Sequence, residues 1–406
     1  LYQCNKCGFC QATCATYRNL WDETYATRGR IRLILAVADG VLERTPAYEE
    51  AINSCLTCHY CAITCPSGIK GDELILAARR DLYQKRGLPF IKRIPLQRVL
   101  PYRGRRNMAF AAFRLFRGLL PATFKGIDVK GMPVAGKSFV DSTFELHRVG
   151  DKPAGRVAYF VGCMTDHTLP GVAEAVVRVL LANNIEVVVP KKQECCGLPM
   201  YTYGDLETAK GLARKNMEVF RSFNVDTVLT ACGSCGGMLK TTYPQIFAGT
   251  ADEKPAGEFS ARVMDICEYL WDKLQIKGQD LGYLPLTVTY HDSCHLARGM
   301  GVTKQPRKIL QSIPGIKYVE MREADQCCGA AGLFQGLYPE LSTKITENKI
   351  NNAKKTGADI VAVDCPACLH RIQGGININK TGQRAVHLVE ILDAAYQKVD
   401  SLKLAR

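Results

Sequence analysis

Nineteen cysteines in 406 residues fall into four clusters, and their spacing constrains this chain more than any other feature. Cys4, Cys7, Cys10 and Cys14 read C-x2-C-x2-C-x3-C, as do Cys55, Cys58, Cys61 and Cys65, the last followed by Pro66. Two longer patterns follow: Cys163, Cys195–Cys196, Cys232 and Cys235 recur as Cys294, Cys327–Cys328, Cys365 and Cys368. Only Cys267 stands outside these sets. A chain this long is not a small secreted disulfide scaffold, and the spacings are those of thiolate ligands to a metal. Such thiol usage fits a reducing cytosol and a chain built to move electrons.

Thiolates hold iron–sulfur clusters, and the short run is the bacterial ferredoxin spacing, whose fourth cysteine ligates the other cluster. On that rule Cys4, Cys7, Cys10 and Cys65 hold one [4Fe–4S] cubane, and Cys55, Cys58, Cys61 and Cys14 hold a second. Cys55-Leu56-Thr57-Cys58-His59 also matches a c-type haem attachment pattern, but that reading leaves Cys61 and Cys65 without a role. Structural zinc takes four ligands, so five-cysteine sets containing adjacent cysteines fit it poorly.

The second half is a duplication. Corresponding cysteines are separated by 131 residues (Cys163 to Cys294), 132 (Cys195 to Cys327) and 133 (Cys232 to Cys365). In each copy an apolar strand (Val157–Val161; Leu286–Tyr290) precedes the first cysteine, and a second (Ile185–Val189; Lys317–Met321) precedes the adjacent pair. A third (Thr227–Thr230; Ile360–Val363) ends at the C-x2-C, with helical stretches between the strands. This alternation predicts an α/β fold with parallel sheets, whose strand ends carry ligands on loops. The expected organisation is a mostly α-helical two-cluster domain over 1–85, a basic connector over 86–153, and tandem α/β repeats over 154–275 and 284–402. Within the first domain, Arg28–Glu50 has helical spacing (Ile31, Leu35, Leu42).

The net charge of +14 is concentrated: from Lys85 to Lys125 there are eleven Lys or Arg and no Asp or Glu. Ala109, Ala112, Phe113, Phe116 and Leu120 fall on one helical face, with Arg106, Arg114 and Arg117 mostly elsewhere. A basic amphipathic helix suits either docking on its own domain or a partner subunit, or peripheral contact with an anionic membrane on its inner face. No recognised motif accompanies the charge to indicate nucleic acid. No apolar run approaches the ~20 residues of a membrane-spanning helix, and no signal peptide is visible, although the chain opens at Leu1.

Val161-Gly162-Cys163, Glu194-Cys195-Cys196-Gly197 and Cys232-Gly233-Ser234-Cys235 resemble the CCG, or cysteine-rich, domain of heterodisulfide reductase subunits. So do His291-Asp292-Ser293-Cys294-His295, Gln326-Cys327-Cys328-Gly329 and Cys365-Pro366-Ala367-Cys368. That resemblance implies up to two further, non-cubane [4Fe–4S] clusters, each held by five cysteines. Two ferredoxin motifs followed by two CCG domains resemble, over essentially the whole chain, the iron–sulfur subunits of glycolate oxidase and D-lactate dehydrogenases. Cys7-Gly8-Phe9-Cys10-Gln11-Ala12-Thr13-Cys14, Arg28-Gly29-Arg30-Ile31 and Cys327-Cys328-Gly329-Ala330-Ala331-Gly332 carry the likeness. It implies an oxidoreductase electron-transfer subunit that takes electrons from a partner FAD subunit oxidising a 2-hydroxy acid. Electrons then pass toward quinone or another carrier. The iron–sulfur subunit of anaerobic glycerol-3-phosphate dehydrogenase shares this architecture, and a catalytic heterodisulfide-reductase-like role is the alternative.

No Ser–His–Asp set, P-loop or dinucleotide fingerprint is present, so the chain has no recognisable flavin or catalytic site of its own. His291, His295 and His370 lie near the cysteines and are read either as donors tuning a cluster or as packing residues. Gly197, Gly233, Gly236 and Gly329 are expected where tight cysteine loops need small residues or positive φ. Cys267, in the apolar stretch Ala261–Leu270, is expected to be a buried thiol on a helix.

Overall fold

The computed structural model describes residues 2–124, 126–276 and 278–399. Leu1, Lys125 at the end of the basic run, and residues 400–402 of the second repeat's expected span lie outside the described residues.

The N-terminal region is helical. Helices Phe9–Thr13 and Tyr60–Ile63 each carry the third cysteine of a short run, and Thr27–Ala38, Pro46–Asn53 and Gly71–Arg86 form the supporting layer. Ile31 and Leu35 are buried as their spacing predicts, but the expected helix over 28–50 is two helices. Gly40 turns the chain at φ 73°, and Thr45 caps the second helix by accepting from the Tyr48 N–H at 3.2 Å, with Pro46 in its first turn.

Each half of the duplication is a sheet covered by helices. In the first, β4 (Gly155–Phe160), β5 (Ile185–Val188), β6 (Val228–Thr230) and β7 (Val263–Asp265) run parallel in the order β5-β4-β6-β7, and a short β3 (Leu146–His147) pairs antiparallel with β5. In the second, β8 (Thr287–His291), β9 (Lys317–Tyr318), β10 (Ile360–Val363) and β11 (Arg384–His387) repeat that order as β9-β8-β10-β11. A small hairpin, β1 (Thr123–Phe124) with β2 (Ile127–Asp128), precedes them. The first three strands of each repeat follow the expected order, β9 being shorter than its predicted run. The fourth strands, β7 and β11, are not visible in the sequence. β7 takes residues 263–265 out of the stretch expected to be wholly helical, so Cys267 sits in the turn of helix that follows the strand. It is fully buried, as expected.

The halves share their cores. Helix Pro170–Ala182, after the first strand of repeat one, packs on Leu388–Gln397, after the fourth strand of repeat two. Reciprocally, Lys304–Ser312 packs on the segment Ile266–Lys273. This is the pairing a local two-fold relation produces. Arg178 seals the first pair through a fork of 2.7–3.1 Å bonds to Asp393.

The connector helix Arg103–Phe116 docks on the body of the protein. Its protein-facing side is built from arginines. Arg106, 2% exposed, donates to the Leu100 carbonyl at 2.6 Å, and Arg103 to the Asp141 carboxylate at 2.6 Å; Phe110 stacks on His167 at 4.6 Å. Hydrogen bonding to carbonyls and carboxylates, which apolar side chains cannot supply, decides which face docks. Of the expected apolar face, Ala112 and Phe116 are exposed. Met108, Leu115, Phe116 and Leu119 form an outward stripe.

Candidate metal centres

All nineteen cysteines are free thiols. In each repeat the parallel strands deliver their cysteines beyond the carboxyl edge of the sheet: β4 and β8 lead to Cys163 and Cys294, β6 and β10 to the C-x2-C pairs. Cys232 and Cys365 stand at the N-caps of the helices Gly233–Gly237 and Pro366–Asn379, and Cys232 Sγ accepts from the Cys235 N–H at 3.5 Å. Gly197 and Gly329 follow the adjacent cysteines at φ 92° and 88°; a Cβ on Gly329 would stand 2.8 Å from the Ser342 carbonyl oxygen. Gly233 has a different reason to be glycine, because a Cβ there would meet Leu296 Cβ at 2.8 Å.

The thiols of each repeat touch in one order. Cys163 Sγ lies 4.0 Å from Cys195 Sγ; Cys195 contacts Cys196, Cys196 contacts Cys235, and Cys235 contacts Cys232. Cys294, Cys327, Cys328, Cys368 and Cys365 repeat that sequence of contacts. The two series meet where Cys232 contacts Cys365, and Ser234 Oγ lies 3.3 Å from Cys365 Sγ. Ten thiols thus form one continuous line around a cavity of about 130 Å³ that nine of them, together with Cys55, border. Hydrogen bonds from Cys195 and Cys235 draw the Cys196 thiol down to about 5, and those from Cys327 and Cys368 lower Cys328 likewise. Hydrogen bonding to Cys327, together with burial, pushes Cys294 up to about 12. A soft pocket of mutually contacting thiols suits iron–sulfur chemistry better than it suits hard cations.

The two short runs are offset by 51 residues, and so is their backbone: Lys6 and Gly8 in the first, and Thr57 and His59 in the second, all have positive φ. Left-handed residues on either side of the second cysteine turn backbone N–H groups toward the thiols; the Thr57 N–H lies 3.4 Å from Cys55 Sγ. Cys4, Cys7, Cys10 and Cys65 line one small pocket, which Cys61 also borders. Cys14 Sγ is 3.1 Å from Thr16 Oγ1. Cys58 is enclosed beside Cys294, and burial pushes its thiol up to about 12. The second run therefore stands between the first run and the repeats.

Two buried arginines, not singled out by the sequence reading, lash that second run in place. Arg79 donates to the carbonyl of Cys55 at 2.5 Å and to that of Thr202, in repeat one, at 2.9 Å. Arg298 donates to the carbonyls of Cys58 and Asp325, both at 2.8 Å, and stacks 4.3 Å over the Tyr60 ring. Their only sequence signal is position: Arg298 lies one helical turn after Cys294. Of the histidines near cysteines, His295 packs its ring edge-on to His59 at 4.9 Å, and His370 pairs with the Thr168 hydroxyl at 2.7 Å.

Fold and thiol geometry together define an iron–sulfur protein of two modules, a helical one with two short-run sites and a duplicated α/β one. Comparison with known proteins agrees. Residues 1–69 match the 4Fe-4S dicluster domain family, and residues 157–240 and 288–373 match the cysteine-rich (CCG) domain family. The chain is 32% identical to the probable glycolate oxidase iron-sulfur subunit of Bacillus subtilis, over 97% of this chain and 93% of that protein. It is 31% identical to one subunit of the fumarate reductase (CoM/CoB) of Methanothermobacter marburgensis, over 97% and 72% respectively. It is 28% identical to one subunit of the dihydromethanophenazine:CoB–CoM heterodisulfide reductase of Methanosarcina acetivorans, over 92% and 89%. The chain belongs to this family of iron–sulfur oxidoreductase subunits, in which a dicluster domain precedes tandem CCG domains.

Proposed function

We propose that this chain is the electron-transfer subunit of a flavin-dependent 2-hydroxy-acid dehydrogenase of the glycolate or D-lactate type. Cys4, Cys7, Cys10 and Cys65 would hold one cubane cluster, and Cys55, Cys58, Cys61 and Cys14 the second. Each five-cysteine set would hold a further, non-cubane [4Fe–4S] cluster. Bound clusters supply one-electron steps, and a partner FAD subunit supplies the two-electron oxidation of the acid. The observation that carries this reading is the order of thiols: the first run, then the second, then Cys294 beside Cys58, then Cys163 at the far end of the line. Electrons entering from the N-terminal sites meet the second repeat before the first, and leave toward quinone or another carrier.

The test is anaerobic addition of D-lactate or glycolate to protein purified with its co-purifying subunits, following the visible thiolate-to-iron absorbance. Bleaching is expected, with about sixteen irons per chain if all four sites are full. No bleaching by either acid, in protein that dithionite reduces, would sink the donor assignment. One observation favours a second reading: the Cys232–Cys365 contact joins both five-thiol sites at one cavity, a place for two one-electron steps on a single disulfide. Heterodisulfide turnover with dithionite as reductant separates that catalytic role from a relay.

The outward stripe of the connector helix supports peripheral membrane contact. Leu115 and Leu119 are 76% and 84% exposed, and Arg93, Arg98 and Arg105 are exposed nearby, in a stretch without acidic residues. An apolar stripe flanked by cations is the pattern of an interfacial helix on anionic lipid. Sedimentation with phosphatidylglycerol vesicles is expected to carry the protein down, and phosphatidylcholine vesicles to leave it in solution. The Leu115→Glu/Leu119→Glu double variant should lose at least about tenfold in binding with its melting unchanged, since neither side chain packs inward. Loss of a co-purifying subunit instead would assign the stripe to a protein interface.

A further inference from the structure

The two repeats differ at several positions around the thiols; Met164 in repeat one is His295 in repeat two, whose Nδ1 lies 3.4 Å from Cys294 Sγ, and a second difference places an imidazole deeper in the cavity. Three residues before the first cysteine stands Phe160 in repeat one and His291 in repeat two. Phe160 packs into its core against Phe220, with ring centroids 5.7 Å apart. His291, 1% exposed, borders the thiol cavity instead.

The ring's proton can be placed from its contacts. His291 Nδ1 lies 3.1 Å from the Ala324 carbonyl oxygen, which can only accept, so Nδ1 carries the hydrogen. The same oxygen accepts from Lys349 Nζ at 3.0 Å and from the Asp292 N–H at 3.1 Å, which fixes it in place. Nε2 is then a bare lone pair, and it is buried without a hydrogen-bond partner. A buried acceptor left unpaired is costly and calls for an explanation. A bare imidazole lone pair is the group by which histidine binds metal. A ligand atom of His291 and the Sγ atoms of Cys328 and Cys368 lie within 4.8 Å of one another, a span one metal ion bridges. An Nδ1–H held by a backbone carbonyl is also the usual support of a metal-binding histidine.

We propose that His291 is a nitrogen ligand to iron at the second repeat's site, which makes that centre five-cysteine, one-histidine, opposite an all-cysteine centre in the first repeat. This rests on the reading that the second repeat holds an iron–sulfur cluster. The duplication is then chemically asymmetric: the centre that receives electrons from the N-terminal module carries a neutral nitrogen donor that the other lacks.

Pulsed EPR on full-length, cluster-loaded protein labelled with 15N-histidine, examined oxidised and after graded reduction, tests it. One directly bound nitrogen is expected, lost in His291→Phe, the residue repeat one uses, while the other clusters' signals stay as they were. His291→Cys should load iron fully, show no nitrogen coupling, and shift the midpoint potential of one centre negative by adding an anionic ligand. Wild-type protein without nitrogen coupling overturns the proposal. So does a nitrogen bearing an exchangeable proton, which would be an N–H···S contact. If His291→Phe fails to fold, the labelled wild type and His291→Cys still decide. Unchanged iron content after Cys294→Ser/Cys327→Ser would overturn the underlying cluster reading instead, a result distinct from iron present without nitrogen.

Discussion

Replacing Arg298 by methionine is expected to weaken the seam between the N-terminal module and the second repeat and to lower the potential of the centres on either side. The Arg298 side chain is 4% exposed. Its guanidinium is the donor to two partly buried carbonyls, Cys58 and Asp325, and it covers the Tyr60 ring, whose hydroxyl bonds Asp325. Methionine fills the volume but leaves both carbonyls unpaired, at about 1–3 kcal/mol each, so a loss of roughly 2–5 kcal/mol is expected on chemical denaturation. Burial works against the charge, yet the surrounding Cys58, Cys294 and Cys327 hold it cationic. At an effective dielectric near 20, a unit charge several ångströms away is worth roughly 2–4 kcal/mol to a reduced cluster, about 90–170 mV for a one-electron couple. Potentiometric titration should therefore show two centres shifted negative in Arg298→Met and largely restored in Arg298→Lys, whose stability remains below wild type because lysine lacks the planar fork. Unmoved potentials in a folded Arg298→Met protein would reduce Arg298 to a packing residue.

Removing iron is expected to unfold the N-terminal module and leave the repeats standing. The helical module's central core is Val37, Tyr48, Ile52, Ile75, Ala78 and Leu82, too little for that number of residues to hold a fold unaided. Its eight cysteines are half-buried or exposed. In a module of this kind the metal–thiolate free energy, about 10 kcal/mol or more for structural sites, is folding free energy. The repeats instead share two extended cores that run through both sheets. Chelation after oxidation should abolish the helical signal of Thr27–Ala38 and Gly71–Arg86 and open 2–86 to protease, while the repeats keep a cooperative thermal transition. An apo protein with an unchanged protease map would show that packing alone folds this module.

How much of this was legible in advance varied with the kind of force involved. Ligand spacing is local, so the cysteine runs, the duplication and three strands of each repeat could be read directly. The fourth strands could not. Val263–Asp265 is three residues long, and only pairing with β6 makes it a strand rather than the start of the helix that follows. The spacing of the connector helix left open which face docks; Arg103 and Arg106 bury through carbonyl and carboxylate partners, several of them far away in sequence. His291 was noticed only as a neighbour of cysteines, because its bare nitrogen depends on where Ala324 places a carbonyl.

By itself, the sequence determined which cysteines stand at ligand spacing and that two modules, one duplicated, carry them, since thiol spacing and strand alternation act over a few residues. Tertiary structure alone decided that the two five-thiol sites meet at Cys232 and Cys365, that the second run leans on the second repeat through Arg298, and that one repeat faces its thiols with histidine. The first two are contacts between segments 130 residues or more apart. They are set by how the repeats pack on each other and on the N-terminal module, a packing that no local spacing encodes.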